Sequence, residues 1–595
     1  SSVVPQRINS RGFETAFAIN GNAATSPLVA PDTAGLERVE VLMGPASVLY
    51  GAMEPGAVIN MVTKKPLRQH HFAAELEMGS YDWKRATTDL GGPLSDRIRG
   101  RLNVAYETKE TFYDNWRRDR TYVAPVVEFG LSDATTLTLE AWYARFEDKN
   151  GAYDRRLPVQ GMLLPNPNGQ VAEHLSAAVP GLSNYYRQAY NYSANLVHKF
   201  SDNWSLSGTA IYDKSSRKGI IWGTSFVINP DLISARRSIT RQDEEQPTYF
   251  ANVGLRGQFD TGAVTHNVIM GVDYYDSEFE GLSANVRVAD LSLFTPSTGT
   301  VSLPALNIHN KLLSKNKGVF LQERARIGAK LDLLVGLRWS EVESISARST
   351  LPAALPPLTG VKQDKTSTQF GVIYDVTDAL TVYASRVTSF VPRSGSTAGG
   401  TAFAPETGIQ YEVGGKFVLG ESGLTGNVAV YSIEKPNVLT PDNANPGFLV
   451  AIGEAKSRGA ELSLSGRPMP GLIFQTAYGY LETEAEGGFD LRHSPKNTVT
   501  LFTRYDVQSG VLHGFGASGT LQYRDTIYPG AAGGLQFPSY TRLDLGLHYV
   551  ANEHLEFGLN VKNATNEQIW DSDGPNWVAI GEGRTYVAGM KVALR

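Results

Sequence analysis

A large all-β barrel, antiparallel, closed and facing lipid, is the fold this sequence predicts, and three observations predict it. Apolar and polar residues alternate with a period of two in one segment of about ten residues after another. The connections between those segments are alternately short and long. No window approaches ~18 uninterrupted apolar residues, so no membrane-spanning helix is expected.

Composition narrows the class. The chain has 595 residues, 42% hydrophobic and 10% aromatic, with 59 Gly, 27 Tyr and no Cys. Without cysteine there is no disulfide framework, no thiolate metal site and no thiol nucleophile, and an oxidising compartment suits such a chain. The net charge of -5 comes from 55 basic and 60 acidic residues spread along the whole length. No basic stripe stands ready for a phosphate backbone, so nucleic acid is excluded as a partner. The start, SSVVPQRINSRGF, lacks the charged end and apolar run of a signal peptide, so a mature or trimmed chain is expected.

Residues 1–69 do not share the barrel rhythm. They hold two compact apolar runs, LERVEVLM and GAVINMVTKK, joined by Gly/Pro turns. A small mixed α/β domain is expected there, and a wide barrel leaves a lumen that can house it.

Residues 70–595 are expected to form the barrel. In LDLLVGLRWS the residues Leu333, Val335, Leu337 and Trp339 share one face, against Gly336, Arg338 and Ser340. TRLDLGLHYV sets Leu543, Leu545, Leu547 and Tyr549 against Arg542, Asp544, Gly546 and His548. HLEFGLNVKN sets Leu555, Phe557, Leu559 and Val561 against Glu556, Gly558, Asn560 and Lys562. Strands are expected near 71–80, 84–91, 97–107, 120–130, 135–147, 187–199, 204–213, 247–259, 264–276, 315–327 and 331–344. They continue near 366–375, 380–389, 406–418, 424–434, 454–466, 472–483, 495–505, 514–524, 539–550, 554–564 and 584–594. The total is about 22, an even number within the range of single-chain outer-membrane barrels.

After even-numbered strands come short turns such as GGPLSD, LSDAT, FSDN and ANEH, rich in residues that favour turn conformations. After odd-numbered strands come longer stretches, among them 148–186, 214–246, 277–314 and 345–365. That asymmetry separates a periplasmic from an extracellular end. A soluble β-sandwich array or a propeller also has short alternating strands, but no repeat of ~40–50 residues is visible.

Arg11–Gly12–Phe13, followed by LERVEVLMGPASVLYGAMEPGAVINMVTKKP from Leu36 to Pro66, resembles the plug signature of TonB-dependent outer-membrane receptors, most closely the ferric-siderophore receptors. Further matches are ETGIQYEVGGKF, VAVYSIEKPNVL, GEAKSRGAELSLSG, LDLGLHYVANEHLEFGLNVKNATNE and the closing GRTYVAGMKVAL. The resemblance implies a 22-stranded barrel stoppered by an N-terminal plug, in the outer membrane of a Gram-negative bacterium. It implies import of a ferric siderophore, with energy from TonB of the inner-membrane complex. A monomer in outer-membrane lipid is expected, and bacteriocins or phage often dock on such receptors. The hydroxamate branch looks most similar, and the loops carry no concentrated basic cluster for a trianionic catecholate. Cobalamin or another metal chelate is the alternative ligand.

Affinity explains why such a machine needs energy. A ligand held at ~1 nM with an on-rate near ~10⁶ M⁻¹s⁻¹ leaves about once per 10³ seconds, so release inward must be forced.

The resemblance carries over some residues. Arg11 looks like one member of the charge cluster that docks plug to wall, with Glu412 and Glu461 as its carboxylates; alternation turns both into the lumen. The family often has a second arginine before the Gly-Pro that ends its signature, where this chain has Met43. Two acids would then share one arginine, which raises the cost of burying the second. The TonB box and first part of the plug would precede Ser1. After Arg595 a terminal aromatic in phase with Tyr586, Met590, Val592 and Leu594 is expected.

Ligand contacts are expected on the plug apices, 14–17 and 19–29, with Phe17, Asn20, Asn22 and Thr25 as candidates. From the wall, a bulky chelate calls for aromatic surfaces with a few polar groups. The outer loops offer Tyr113, Trp116, His174, Tyr185, Tyr186, Trp222, Phe390 and Phe403, together with Tyr153, Phe226, Tyr528, Trp570 and Trp577. Each is also a candidate for girdle or loop packing. No cofactor is expected, since iron arrives inside its chelate, and the ten histidines show no HExxH spacing. No nucleophile elbow supports an outer-membrane hydrolase, and a plug argues against a passive porin.

Overall fold

In the computed structural model, residues 8–23, 29–44, 46–151, 157–179, 181–296, 301–393, 397–399, 403–420, 423–441, 449–486, 488, 490–528, 535–571 and 577–594 are described. Twenty-two antiparallel strands close into one barrel, each paired with its neighbour in the chain. The last, Thr585–Leu594, pairs with the first, His71–Gly79, placing Val587 opposite Gly79 and Leu594 opposite Phe72. Closure removes the unpaired edge that an open sheet would expose to lipid, where every N–H and C=O must find a partner within the protein.

The dyad pattern sets which side faces lipid. On Leu331–Thr350 the side chains of Leu333, Val335, Leu337 and Trp339 stand exposed on the outer wall. Arg338 and Ser340, between and beyond them, are buried on the inner wall. Tyrosines ring the outside of neighbouring strands, Tyr143 lying 4.9 Å from Tyr190 and Tyr212 5.1 Å from Tyr249, ring centre to ring centre. Such aromatic belts sit where hydrocarbon gives way to headgroups.

Strand lengths depart from the sequence reading. The stretches 214–246, 277–314 and 345–365, expected as loops, are largely strand. Trp204–Ile228, Ser234–Thr261 and Val264–Ser292 run for 25, 28 and 29 residues. Ile308–Ile327 and Leu331–Thr350 run for 20 residues each, and Thr359–Thr377 for 19. About 10 residues cross the hydrocarbon, so these hairpins rise far above it. Beyond the bilayer the outer face meets water rather than lipid. The alternation that marks a strand in the sequence disappears there, while the hydrogen-bond ladder continues.

The connection between Thr135–Lys149 and Asn184–Lys199 is a true loop, and it folds inward over the mouth. Its Leu157–Pro158 pairs with Trp577–Ile580, Leu157 opposite Val578. Leu157, Val159, Val171, Leu175 and Val179 then pack against Trp222, Ile239, Leu291, Phe537 and Ile580 in one buried apolar cluster. The mouth is thus partly roofed by a small hydrophobic core of its own.

The head segment forms a four-stranded sheet in the order Asn22–Ala23, Ala16–Ile19, Ala57–Thr63, Leu36–Met43. Ala57–Thr63 is central, parallel to Ala16–Ile19 and antiparallel to Leu36–Met43, which explains its near-continuous apolar run. Among the described residues of the head, helix amounts to a 3-10 turn at Thr33–Gly35 and the short α-helix Ser47–Tyr50. Barrel residues on opposite sides of the bore touch this segment, so it stands inside the lumen.

Candidate functional site

The contacts between head and wall concentrate in three charged clusters. The first is built on the turn between Asn9–Ser10 and Phe13–Glu14. Arg11 and Gly12 both take left-handed backbone angles, φ 54° and 83°, which throws the Arg11 side chain at the wall. A Cβ at position 12 would lie 2.9 Å from Thr483 Cγ2, so glycine is required there for space as well as for angle. Arg11 Nη1 lies 2.6 Å from Glu412 Oε2, while its Nε and Nη2 reach the two oxygens of Glu461 at 3.0 and 2.7 Å. The guanidinium stacks 4.1 Å above the Tyr431 ring. Burial alone would disfavour its charge; the hydrogen bonds and charges of Glu461 and Glu412 outweigh that and raise its pKa.

The missing second arginine is made good by neutral donors. Tyr383 Oη donates to Glu412 Oε1 at 2.8 Å, and Gln410 Nε2 donates to Glu412 Oε2 at 3.2 Å. Glu412 thus accepts three hydrogen bonds, two of them from neutral groups, while it shares with Glu461 the one cation it meets among the described residues.

The second cluster had no signal in the sequence. Asp32, fully buried, caps the 3-10 turn by accepting from the Ala34 amide at 2.8 Å. The same carboxylate meets Arg85 Nη2 at 2.5 Å and Arg120 Nε at 3.0 Å, both on the barrel wall. Desolvation alone would raise its pKa, but the Arg85 hydrogen bond, the charges of Arg120 and Arg85 and the Ala34 amide hold it below the ordinary 3.8. Nearby, Lys64 pairs with Asp89 at 2.9 Å and Lys65 with Glu140 at 2.6 Å.

The third cluster carries no sequence signal either. Glu54, on the loop after Ser47–Tyr50, takes Lys435 Nζ at 2.7 Å and Arg393 Nη2 at 3.3 Å. Both cations also reach Glu406, at 2.7 and 2.6 Å. One residue before Glu54, the Met53 amide donates to the Phe390 carbonyl at 2.9 Å. Two acids and two bases thus join head, wall and the base of an outer loop.

The apex candidates fall near the wall. Phe17 is half-buried on its strand opposite Ile59. Asn20 is turned to Thr63 at 2.8 Å and Glu140 at 3.4 Å. Asn22 accepts from Asn252 Nδ2 on the wall at 2.8 Å. Thr25 lies outside the described residues, as do Tyr153 and the side chains of Phe226 and Trp577.

Most of the candidate wall aromatics are sealed into packing. Trp222 is fully buried in the roof cluster, with Arg237 5.2 Å above its ring, and Trp570 belongs to the same cluster. Tyr113 is buried with its hydroxyl donating to the Ile580 carbonyl at 3.1 Å, and buried Trp116 donates to Asp148 at 2.9 Å. Tyr185 is buried and its hydroxyl accepts from Gln242 at 3.0 Å. Tyr186, one residue on, points to the opposite side of the strand and lies under Arg145. Phe390 and Phe403 are buried, their carbonyls taking Met53 and Gln363. His174 is exposed, its Nδ1 2.9 Å from both oxygens of Asp114. The structure therefore does not gather these residues into one open pocket; it distributes them among roof, wall and loop anchors.

Comparison with known proteins follows the same division. Residues 3–58 match the family described as the TonB-dependent Receptor Plug Domain, and residues 130–564 match TonB dependent receptor-like, beta-barrel. The metal-pseudopaline receptor CntO of Pseudomonas aeruginosa is 30% identical over 581 residues, covering 94% of this chain and 80% of that protein. The ferrioxamine B receptor of Salmonella typhimurium is 25% identical over 574 residues, with the same two coverages of 94% and 80%. Among solved structures, the siderophore receptor PiuA from Acinetobacter baumannii superposes with a TM-score of 0.88 at 22% identity, covering 98% of this chain and 90% of that one.

Proposed function

Because this chain belongs to the TonB-dependent receptors of the outer membrane, we propose that it captures a small metal chelate outside the cell and passes it inward on energy supplied through TonB. The family's members are transport receptors rather than enzymes. The observation that carries the reading is a head segment lodged in the bore and fastened to the wall through Arg11, Asp32 and Glu54. In this reading the head closes the bore to passive flow. A path opens only when some of those ion pairs are broken or slide.

In this reading residues 1–69 are the plug, residues 70–595 the barrel, and Arg11 with Glu412 and Glu461 a docking clamp. The clamp holds in place because the buried Arg11 guanidinium meets Glu461 through two hydrogen bonds and Glu412 through a third. Force on the head breaks it without chemistry, since water replaces each partner as the groups separate. The ligand enters from the roofed side, where Asn22 and Asn252 meet beneath the apolar loop cluster.

A ferric hydroxamate is one ligand for this site, supported by the likeness to the ferrioxamine B receptor. A second reading, another metal chelate in place of a ferric hydroxamate, is favoured by the higher identity to the metal-pseudopaline receptor. Titration of the purified protein with ferrioxamine B, ferrichrome, a ferric catecholate, and nickel and zinc chelates separates them. Binding of one class at ~10 nM–1 μM is the expected outcome, and no binding of any chelate below ~10 μM would sink the proposal.

A further inference from the structure

Above the bilayer, four tall strands carry on their inner face a cavity that none of the head–wall contacts uses. Val264–Ser292, Ile308–Ile327, Leu331–Thr350 and the start of Thr359–Thr377 run side by side there. The cavity measures about 670 Å³, within the ~300–1,000 Å³ of small-molecule sites. Phe279 stands opposite Leu312, and two residues further out Asn310 stands opposite Arg348. Strand alternation puts Phe279 on the face of Asp273, and Arg348 on the face of Arg338. That face is the lumen side, because Arg338 and Asp273 pair at 2.7 Å close to Gly51 of the head. The ten residues from Arg338 to Arg348 span roughly 33 Å, so the cavity lies on the way in, well above the plug.

Its chemistry is specific. Phe279, Leu312, Pro356 and Pro357 give it apolar walls, and its lining includes two cations and no carboxylate. One of those cations, Lys311, is already paired with Glu278. Cations on neighbouring strands are matched too, Lys315 by Asp276 and both Lys317 and Lys362 by Glu341. The Arg348 side chain is exposed and, among the described residues, makes no hydrogen bond or ion pair.

We propose that this cavity is an outer capture site for a metal chelate that presents an aromatic or alkyl arm ending in a carboxylate. The guanidinium fork matches a single carboxylate through two parallel hydrogen bonds, and the apolar walls take the arm. A single open cation suits one anionic arm rather than a compact polyanion. Holding the chelate here raises its concentration above the plug and speeds its entry. The inference rests on the chelate-uptake reading and adds to it a ligand class and a first binding step.

The test uses the full chain in detergent, with the ferric complex of desferrioxamine B succinylated at its terminal amine, a neutral trishydroxamate core with one alkyl arm ending in a carboxylate, as the anionic probe and ferrichrome, without net charge, as the reference. Association is followed by stopped-flow fluorescence. Arg348→Ala is expected to slow association of the anionic probe by about tenfold and leave ferrichrome unchanged, with Arg348→Lys in between. Phe279→Ala is expected to weaken the anionic probe as well. Arg348 is exposed and unpaired, so its removal leaves the melting temperature at the wild-type value. Wild-type rates for the anionic probe in both Arg348→Ala and Phe279→Ala overturn the outer site alone, as does binding of ferrichrome without the anionic probe. Failure of the wild type to bind any chelate overturns the uptake reading along with it.

Discussion

Arg11 grips Glu461 through both carboxylate oxygens, at 3.0 and 2.7 Å, across 450 residues of chain. The third arm of the same guanidinium holds Glu412, so one planar group fastens the head to two barrel strands. Glu461 keeps some contact with water, its side chain being 24% exposed against 1% for Arg11.

Arg11→Ala is therefore expected to loosen the head by about 2–3 kcal/mol, below the ~3–5 of a wholly buried pair. Hydrogen exchange at residues 9–14 should rise while the barrel strands stay protected. Arg11→Lys should recover only part of the loss, since an ammonium cannot span both acids. In a double-mutant cycle, Glu461→Gln added to Arg11→Ala should cost little more than Arg11→Ala alone. Strict additivity would show that the pair contributes nothing to docking.

The Asp32 cluster gives a pH signature. Its carboxyl is held below 3.8 in the folded protein, despite burial, by the Arg85 hydrogen bond, the charges of Arg120 and Arg85 and the Ala34 amide. A depressed carboxyl contributes stability that is complete above its unfolded value and lost as pH falls through its folded one. Protection of the amides at 32–36 should thus hold from pH 7 to about 5 and fall below about 4. Asp32→Asn should be less protected at neutral pH and show no such step. An unchanged acid transition in Asp32→Asn would remove this group from the account.

The contrast between these two clusters shows what the sequence makes legible. Glu412 and Glu461 could be placed because Tyr411, Val413, Leu462 and Leu464 fix the outward face by alternation, leaving the acids inward, and because Arg11 lies in a recognisable motif. Asp32, Arg85 and Arg120 could not. Each is an ordinary charge in its own segment, and only the closing of the barrel brings them together. The tall hairpins are not legible for a related reason, since period-two hydrophobicity reports lipid contact rather than strand pairing. Glu245 and Lys214, paired at 2.8 Å, lie on ladder positions with no apolar face to announce them. The aromatic candidates are legible as residue types, but whether Trp222 meets ligand or loop depends on how the segment 157–179 folds back.

That roof gives a third prediction. Trp222 is fully buried and central to the apolar cluster formed by several outer connections. Trp222→Ala should cost about 3–5 kcal/mol locally, from lost transfer energy and the cavity left behind. The loss falls on the loop rather than on the barrel, so limited proteolysis within 157–179 should accelerate while the strand core keeps its melting temperature. Trp222→Phe should cost less. Unchanged cleavage would mean that the roof does not depend on this packing.

The Glu54 cluster yields a prediction of relative sign, which is stricter than one of magnitude. Glu54, Glu406, Lys435 and Arg393 sum to zero charge, with Glu406 and Lys435 nearly out of water. Lys435→Met leaves two carboxylates beside one partly exposed arginine, and an unpaired buried charge is the costly outcome. Glu54→Gln leaves Glu406 with both cations, so its penalty should be the smaller, about 1 kcal/mol against about 3. The double variant restores neutrality through Arg393 and Glu406, 2.6 Å apart, and should be more stable than Lys435→Met alone. Exchange protection of residues 51–56, where Met53 bonds to Phe390, reads all three variants. If the double variant is the least protected of the three, charge balance is not what holds this part of the head to the wall.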